Sequence, residues 1–207
     1  MPTLLEVPRI DTLPVETLLV ETLCADPLAA PLWHAGFRAH IGVSACLMGE
    51  KVRYDGDHRR SNMIATMLPL AARMVPLCPE VAIGMGVPRP TIQRVRLADG
   101  REVVRGTTDR LLDVTARLDD YAAQVSATTL LHGYIFKARS PSCGPGNAPL
   151  FDEQGVQIGV ASGRYAEQVR RMLADAPMCD EEALTTLSEV ADFVTACYRY
   201  AATRHLV

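Results

Sequence analysis

Residues 41–49 read IGVSACLMG, a short apolar run that ends in a small-residue turn carrying Cys46. An unbroken apolar run of this length suits a strand buried on both faces, as in a parallel sheet. Two further stretches repeat the arrangement. MVPLCPEV (74–81) delivers Cys78, and LLHGYIFKA (130–138) leads into SPSCGPG (140–146), which carries Cys143. If the three runs are parallel strands, the loops that follow them open at one edge of a single sheet. Open α/β folds bind their ligands at that edge.

The segments between these runs have helical spacing. Residues 61–73 predict a helix with Ser61 or Asn62 as N-cap. Thr107 or Thr108 caps a second helix that runs through Leu118 to about Ser126. Residues 163–175 form a third, and Asp180 caps a last helix that reaches about Arg204. The stretch CPEVAIGMGVPRPTIQRV is too rich in Pro and Gly for a helix, and Asp99-Gly100 joins VRLA to REVVRG as a hairpin. The alternation predicts an α/β fold, three-layer and Rossmann-like, with a mostly parallel sheet flanked by helices. Residues 1–40 read as a helical N-terminal extension, with Leu18, Leu19 and Leu23 on one stripe and Trp33 and Phe37 pinning it to the main domain, residues 41–207.

Composition narrows the class. A net charge of −3 over 207 residues gives no general nucleic-acid surface, and a nucleic-acid polymer is not an expected partner. No run approaches the roughly 20 apolar residues of a membrane span. The first 40 residues lack the basic start and long apolar run of a secretory signal. The six cysteines are therefore expected as free thiols or metal ligands in a reducing cytoplasm, not as disulfides.

Loop context separates those cysteines. Cys24 and Cys197 fall at apolar helical positions, and Cys179 lies at a strand end. Cys46, Cys78 and Cys143 are flanked by Gly or Pro, which lets backbone come close to a bulky ligand. Three thiolates are one short of a closed zinc or iron–sulfur site, as a metal that also binds a substrate requires. The spacings of 32 and 65 residues fit no compact zinc or iron–sulfur motif, so they leave the metal open. Glu80, two residues after Cys78, suits a general base for water, or a solvated loop charge. Ser140 and Ser142 can donate to a substrate or close a turn, and Asp55 can orient Glu80 or form an Asx-turn. Arg89, with Arg94 after it, is a candidate for an anionic substrate group.

IGVSACLMGEKVRYDGDHRR, VPLCPEVAIGMGVPRPTIQRV and GYIFKARSPSCG together resemble the thiouracil desulfidase family, catalogued as domain of unknown function 523. The resemblance spans roughly residues 40–180. It implies a [4Fe–4S] cluster held by Cys46, Cys78 and Cys143, whose remaining iron takes the sulfur of the substrate. It further implies desulfuration of a thiolated pyrimidine, thiouracil or a thiouridine nucleotide, to the oxo form and sulfide without net redox change. Glu80 matches the family's acid/base and Ser140 its assisting hydroxyl. Substrate contacts are expected from Arg89, Ser142 and Asp55. The wording of the later motifs is similar to members fused to a second, C-terminal domain that these 207 residues do not include. Two other classes compete: a cluster-bearing sensor without turnover, and a zinc-thiolate protein.

Overall fold

A computed structural model of the protein describes residues 15–204; the first 14 residues of the expected extension lie outside them. The N-terminal helices are α1 (Val15–Ala25) and α2 (Ala29–His34). A parallel sheet follows, built from β1 (Ala39–Ser44), β2 (Ala72–Leu77), β5 (Gly133–Phe136) and β8 (Met178–Asp180), in the order β2-β1-β5-β8. A second, mixed sheet has the order β4-β3-β6-β7, from β3 (Ile92–Arg96), β4 (Glu102–Gly106), β6 (Ala148–Phe151) and β7 (Gln157–Ala161). The remaining helices are α3 (Pro79–Ala82), α4 (Thr115–Thr128), α5 (Arg164–Met172) and α6 (Leu187–Arg204).

Strand alternation divides the core across the first sheet. Ile41, Val43 and Ile135 enter one cluster with Leu19 and Leu23 of α1 and Val194 and Tyr198 of α6. Tyr134 and Phe136 point the other way, into a cluster with Leu118 and Val125 of α4 and Val169 of α5. The sheet is thus flanked by helices on both faces, as the sequence predicts. Gly42 is required by this layering: a Cβ there would collide with the ring of Tyr134. Trp33 and Phe37 each meet Tyr198 edge-on, which seats the N-terminal helices against α6.

Several local expectations change. The helix expected over 61–73 is a π turn, Met63–Met67, followed by a 3₁₀ turn, Leu68–Leu70, because β2 begins at Ala72 and Pro69 supplies no backbone donor. The loop after Cys78 does contain a helix, the single turn of α3, with Pro79 at its first position. α4 starts at Thr115 and not near Thr107, its first amide bonded to Asp113 Oδ1 at 2.8 Å. Asp180 caps only a short 3₁₀ turn. α6 is opened instead by a reciprocal box: Glu189 accepts the Thr186 amide at 2.8 Å, and the Glu189 amide donates to Thr186 Oγ at 3.3 Å. Arg94, a candidate beside Arg89 for an anionic substrate group, is instead buried and pairs with Glu102 and Glu167, tying the second sheet to α5.

Candidate active site

β1, β2 and β5 run parallel, so their C-terminal ends share one edge, and each delivers a cysteine there. Cys46 sits in the 3₁₀ turn Ala45–Met48 directly after β1, which Gly49 closes with φ +100°. Cys78 follows β2 and stands at the N-terminus of α3. Cys143 lies in the turn after β5, with its amide bonded to Ser140 Oγ at 3.1 Å. All three line one cavity of about 400 Å³, which is within the usual range for a small-molecule site.

Each thiol is shifted toward its neutral form. Burial, reinforced by Cys78, pushes Cys46 up to about 11 against the pull of Lys137 and Arg53. Burial raises Cys78 as well, although the amide of Val81 at the start of α3 opposes it. Burial, then Glu80 and Cys78, drive Cys143 well above the ordinary thiol value, and the hydroxyl of Ser44 works the other way. A metal bound through these sulfurs would therefore have to displace their protons.

Glu80 is fixed from two sides. Ser142 Oγ donates to its Oε1 at 2.8 Å, and Arg89 Nε donates to its Oε2 at 2.8 Å. Arg89 is committed further, through Nη1 to the carbonyls of Val52 (2.8 Å) and Gly86 (3.1 Å). Glu80, Arg89 and Ser140 line the cavity. Ser142, fully buried, reaches it through Glu80, so its hydroxyl serves the carboxylate. Ser140 Oγ accepts the amides of Ser142 and Cys143, closing the turn while bordering the cavity. Asp55 is not among the cavity residues. It accepts the Asp57 amide at 3.2 Å in an Asx-turn and holds Arg53, which does line the cavity.

Other cavity residues had little signal in the sequence. Tyr54, Arg59, Lys137 and Arg139 all border the space. Lys137 pairs with Glu181, just past β8, and Arg139 with Glu182. The cysteines left over are elsewhere: Cys24 in α1, Cys179 in β8, and Cys197 buried in the α6 core.

The donor set fits an iron–sulfur cluster better than one ion. A single zinc needs its ligands about 2.3 Å from one point. Among the described residues no three His, Cys, Asp or Glu side chains could hold a metal ion in that way. Thiols spaced around a cavity suit a bulky group in which each sulfur binds its own iron.

Residues 41–181 match the family model described as 2-thiouracil desulfurase. The chain belongs to that family. A solved structure titled "[4Fe-4S]-dependent thiouracil desulfidase TudS" is similar, with 31% identity and a TM-score of 0.56 over 73% of this chain and 96% of that one. The uncharacterized protein YbbK of Bacillus subtilis (strain 168) is 31% identical over 117 residues, 51% of this chain and 74% of YbbK. The match to the family model begins in β1 and ends at Glu181, so it takes in every cysteine, carboxylate and serine of the cavity described above.

Proposed function

We propose that this protein is a [4Fe–4S]-dependent desulfidase that converts the thiocarbonyl of a thiolated pyrimidine to a carbonyl and releases sulfide. The observation that carries the reading is the meeting of three thiols from three parallel strand ends with one doubly anchored carboxylate on a single cavity. Cys46, Cys78 and Cys143 would hold the cluster. When bound, it would supply a soft Lewis acid with one position open to sulfur.

The chain's own residues do the rest. Glu80 takes a proton from water, and Arg89 and Ser142 keep its carboxylate aimed. Ser140 Oγ accepts two amides, which leaves its O–H free to donate to a ring nitrogen or oxygen of the substrate. The balance is C=S plus H₂O giving C=O, HS⁻ and a proton, with no electron gained or lost. Arg89 is buried against Glu80, so a nucleotide phosphate would instead meet Arg59 and Arg139, which line the cavity and whose ion pairs with Asp57 and Glu182 are open to solvent and to exchange. Their side chains are 49% and 66% exposed. That placement favours a thiouridine monophosphate over the free base.

In this reading residues 41–207 carry the chemistry, and the preceding helices add a layer against α6. The reduced thiols fit work in the cytoplasm, and among the described residues no helix is long and apolar enough to cross a membrane. The test is anaerobic reconstitution followed by incubation with thiouracils and thiouridine monophosphates. Oxo product and sulfide in equal amounts are expected. A reconstituted cluster with no product would make the protein a sensor, and a colourless zinc-loaded protein would reject the cluster.

A further inference from the structure

Tyr54 has no part in the reaction as set out above, yet it carries the one aromatic ring on the cavity wall. Among the described residues it is also the only Phe, Tyr or Trp that is exposed, at 43%; every other ring is at least partly buried. Aromatic side chains supply much of the apolar area that a fold buries, and this one is withheld from both core clusters. Single exposed apolar side chains are ordinary on a protein surface. An exposed ring on the wall of the site is a different matter, because a ligand can cover it.

The ring is also held in position. The Tyr54 carbonyl accepts the Arg89 amide at 3.0 Å, and Arg89 Nη1 donates to the Val52 carbonyl at 2.8 Å. The turn closes on itself through the Arg53 amide to the Asp57 carbonyl (3.2 Å) and the Gly56 amide to the Arg53 carbonyl (3.0 Å). The Arg53 guanidinium lies over one face of the ring, 5.1 Å from its centroid, and is itself tied to Asp55 at 3.3 Å. The same Arg89 that carries the Tyr54 backbone donates through Nε to Glu80 Oε2. Ring and carboxylate therefore belong to one hydrogen-bonded unit, which fixes where a stacked ligand would lie relative to Glu80.

A thiolated pyrimidine needs such a surface. Its sulfur goes to the metal, and it has few other polar atoms to grip. Most of what it offers is the flat face of the ring, and stacking on an aromatic side chain suits any base. The apolar wall residues Val52, Leu77 and Ile92 are aliphatic and present no such face. We propose that Tyr54 is the stacking platform for the pyrimidine ring, and that it restricts the substrates to thiocarbonyls carried on planar heteroaromatic rings. The proposal rests on the desulfidase reading and assigns it a specificity residue.

The test compares the unmodified protein, Tyr54→Phe and Tyr54→Ala, each cluster-loaded under anaerobic conditions. Uracil binding is followed by calorimetry, 2-thiouracil and thiourea turnover by sulfide release, and iron is measured on the same samples. Loss of one stacked base contact predicts uracil binding about 5- to 150-fold weaker in Tyr54→Ala, with KM for 2-thiouracil raised in step. Its kcat should change little, since a stacked ring is gripped equally before and during the reaction. Tyr54→Phe keeps the face and should match the unmodified protein, all three should carry the same iron, and thiourea should be a poor substrate throughout. Unchanged uracil binding and KM in Tyr54→Ala overturn the proposal. So does a Tyr54→Phe as weak as Tyr54→Ala, which would assign the effect to the hydroxyl, and so does iron lost from Tyr54→Ala. Thiourea turned over as well as 2-thiouracil by the unmodified protein overturns the restriction to rings. If uracil binding separates the variants as expected while no sulfide is released, the desulfidase reading fails and the stacking platform stands.

Discussion

Ser142 donates a 2.8 Å hydrogen bond to Glu80 from a loop 62 residues further along the chain. That bond joins the loop after β2 to the loop after β5, so the loops that present Cys78 and Cys143 share one carboxylate. Glu80→Gln should keep the iron and lose most turnover, since general-base help is typically worth about 10²–10⁴-fold. Ser142→Ala removes only the aim and should cost about tenfold in kcat at unchanged iron. Turnover and iron measured on the same samples decide this. Near-normal turnover in Glu80→Gln would remove Glu80 from the reaction.

Arg89 anchors the opposite oxygen of Glu80. Arg89→Ala should therefore lower kcat/KM for free thiobases and for thionucleotides by a similar factor. Comparing the two substrate series gives the check. A loss confined to nucleotides would return Arg89 to the role of a phosphate clamp.

The sequence makes β1, β2 and β5 readable because their apolar runs are unbroken, and the three cysteine loops follow from those strands. Long-range pairing is not written locally. Nothing near Lys137 announces Glu181, and nothing near Glu80 announces Ser142. β6 (APLF) has no polar residue to alternate with, and β7 is exposed along most of its length, so no apolar–polar alternation marks them. A hairpin is legible at Asp99-Gly100, but not the second sheet to which it belongs. Threonines at 107 and 108 look like caps, yet the Thr107 amide bonds to the Thr91 carbonyl at 2.9 Å, so Asp113 opens α4 instead.

The metal-free protein should weaken in alkali. An unfolded thiol ionises near 9, whereas folded Cys46 holds its proton to about 11. The neutral thiol's contribution is therefore complete below the unfolded value and is lost as pH rises from 9 to 11. Denaturant melts of metal-free protein across that range should show stability falling, with a shallower fall in Cys46→Ser. Identical slopes would mean that the thiol is not shielded as the fold implies.

Asp26 fastens the N-terminal helices. Its Oδ1 accepts the amides of Leu28 (3.0 Å) and Ala29 (2.8 Å), and Arg199 Nε of α6 donates to its Oδ2 at 2.7 Å. Burial pushes its pKa up, but Arg199 and the two amides outweigh that and hold it below the usual 3.8. Its contribution is thus present above pH 3.8 and is lost as pH falls through the folded value. Asp26→Ala should cost about 1–2 kcal/mol at neutral pH, as removal of a cap does, and should flatten the acid limb of a thermal melt series. A melting temperature equal to that of the unmodified protein would show that the helices are held by their apolar contacts alone.

The central claim is that Cys46, Cys78 and Cys143 alone hold a [4Fe–4S] cluster. The most direct measurement is iron and acid-labile sulfide per chain after anaerobic reconstitution of six single variants. Ser at 46, 78 or 143 should each lose most of both, and Ala at 24, 179 or 197 should each retain the level of the unmodified protein. Full retention in the first three, or a loss in the second three equal to theirs, would contradict the account.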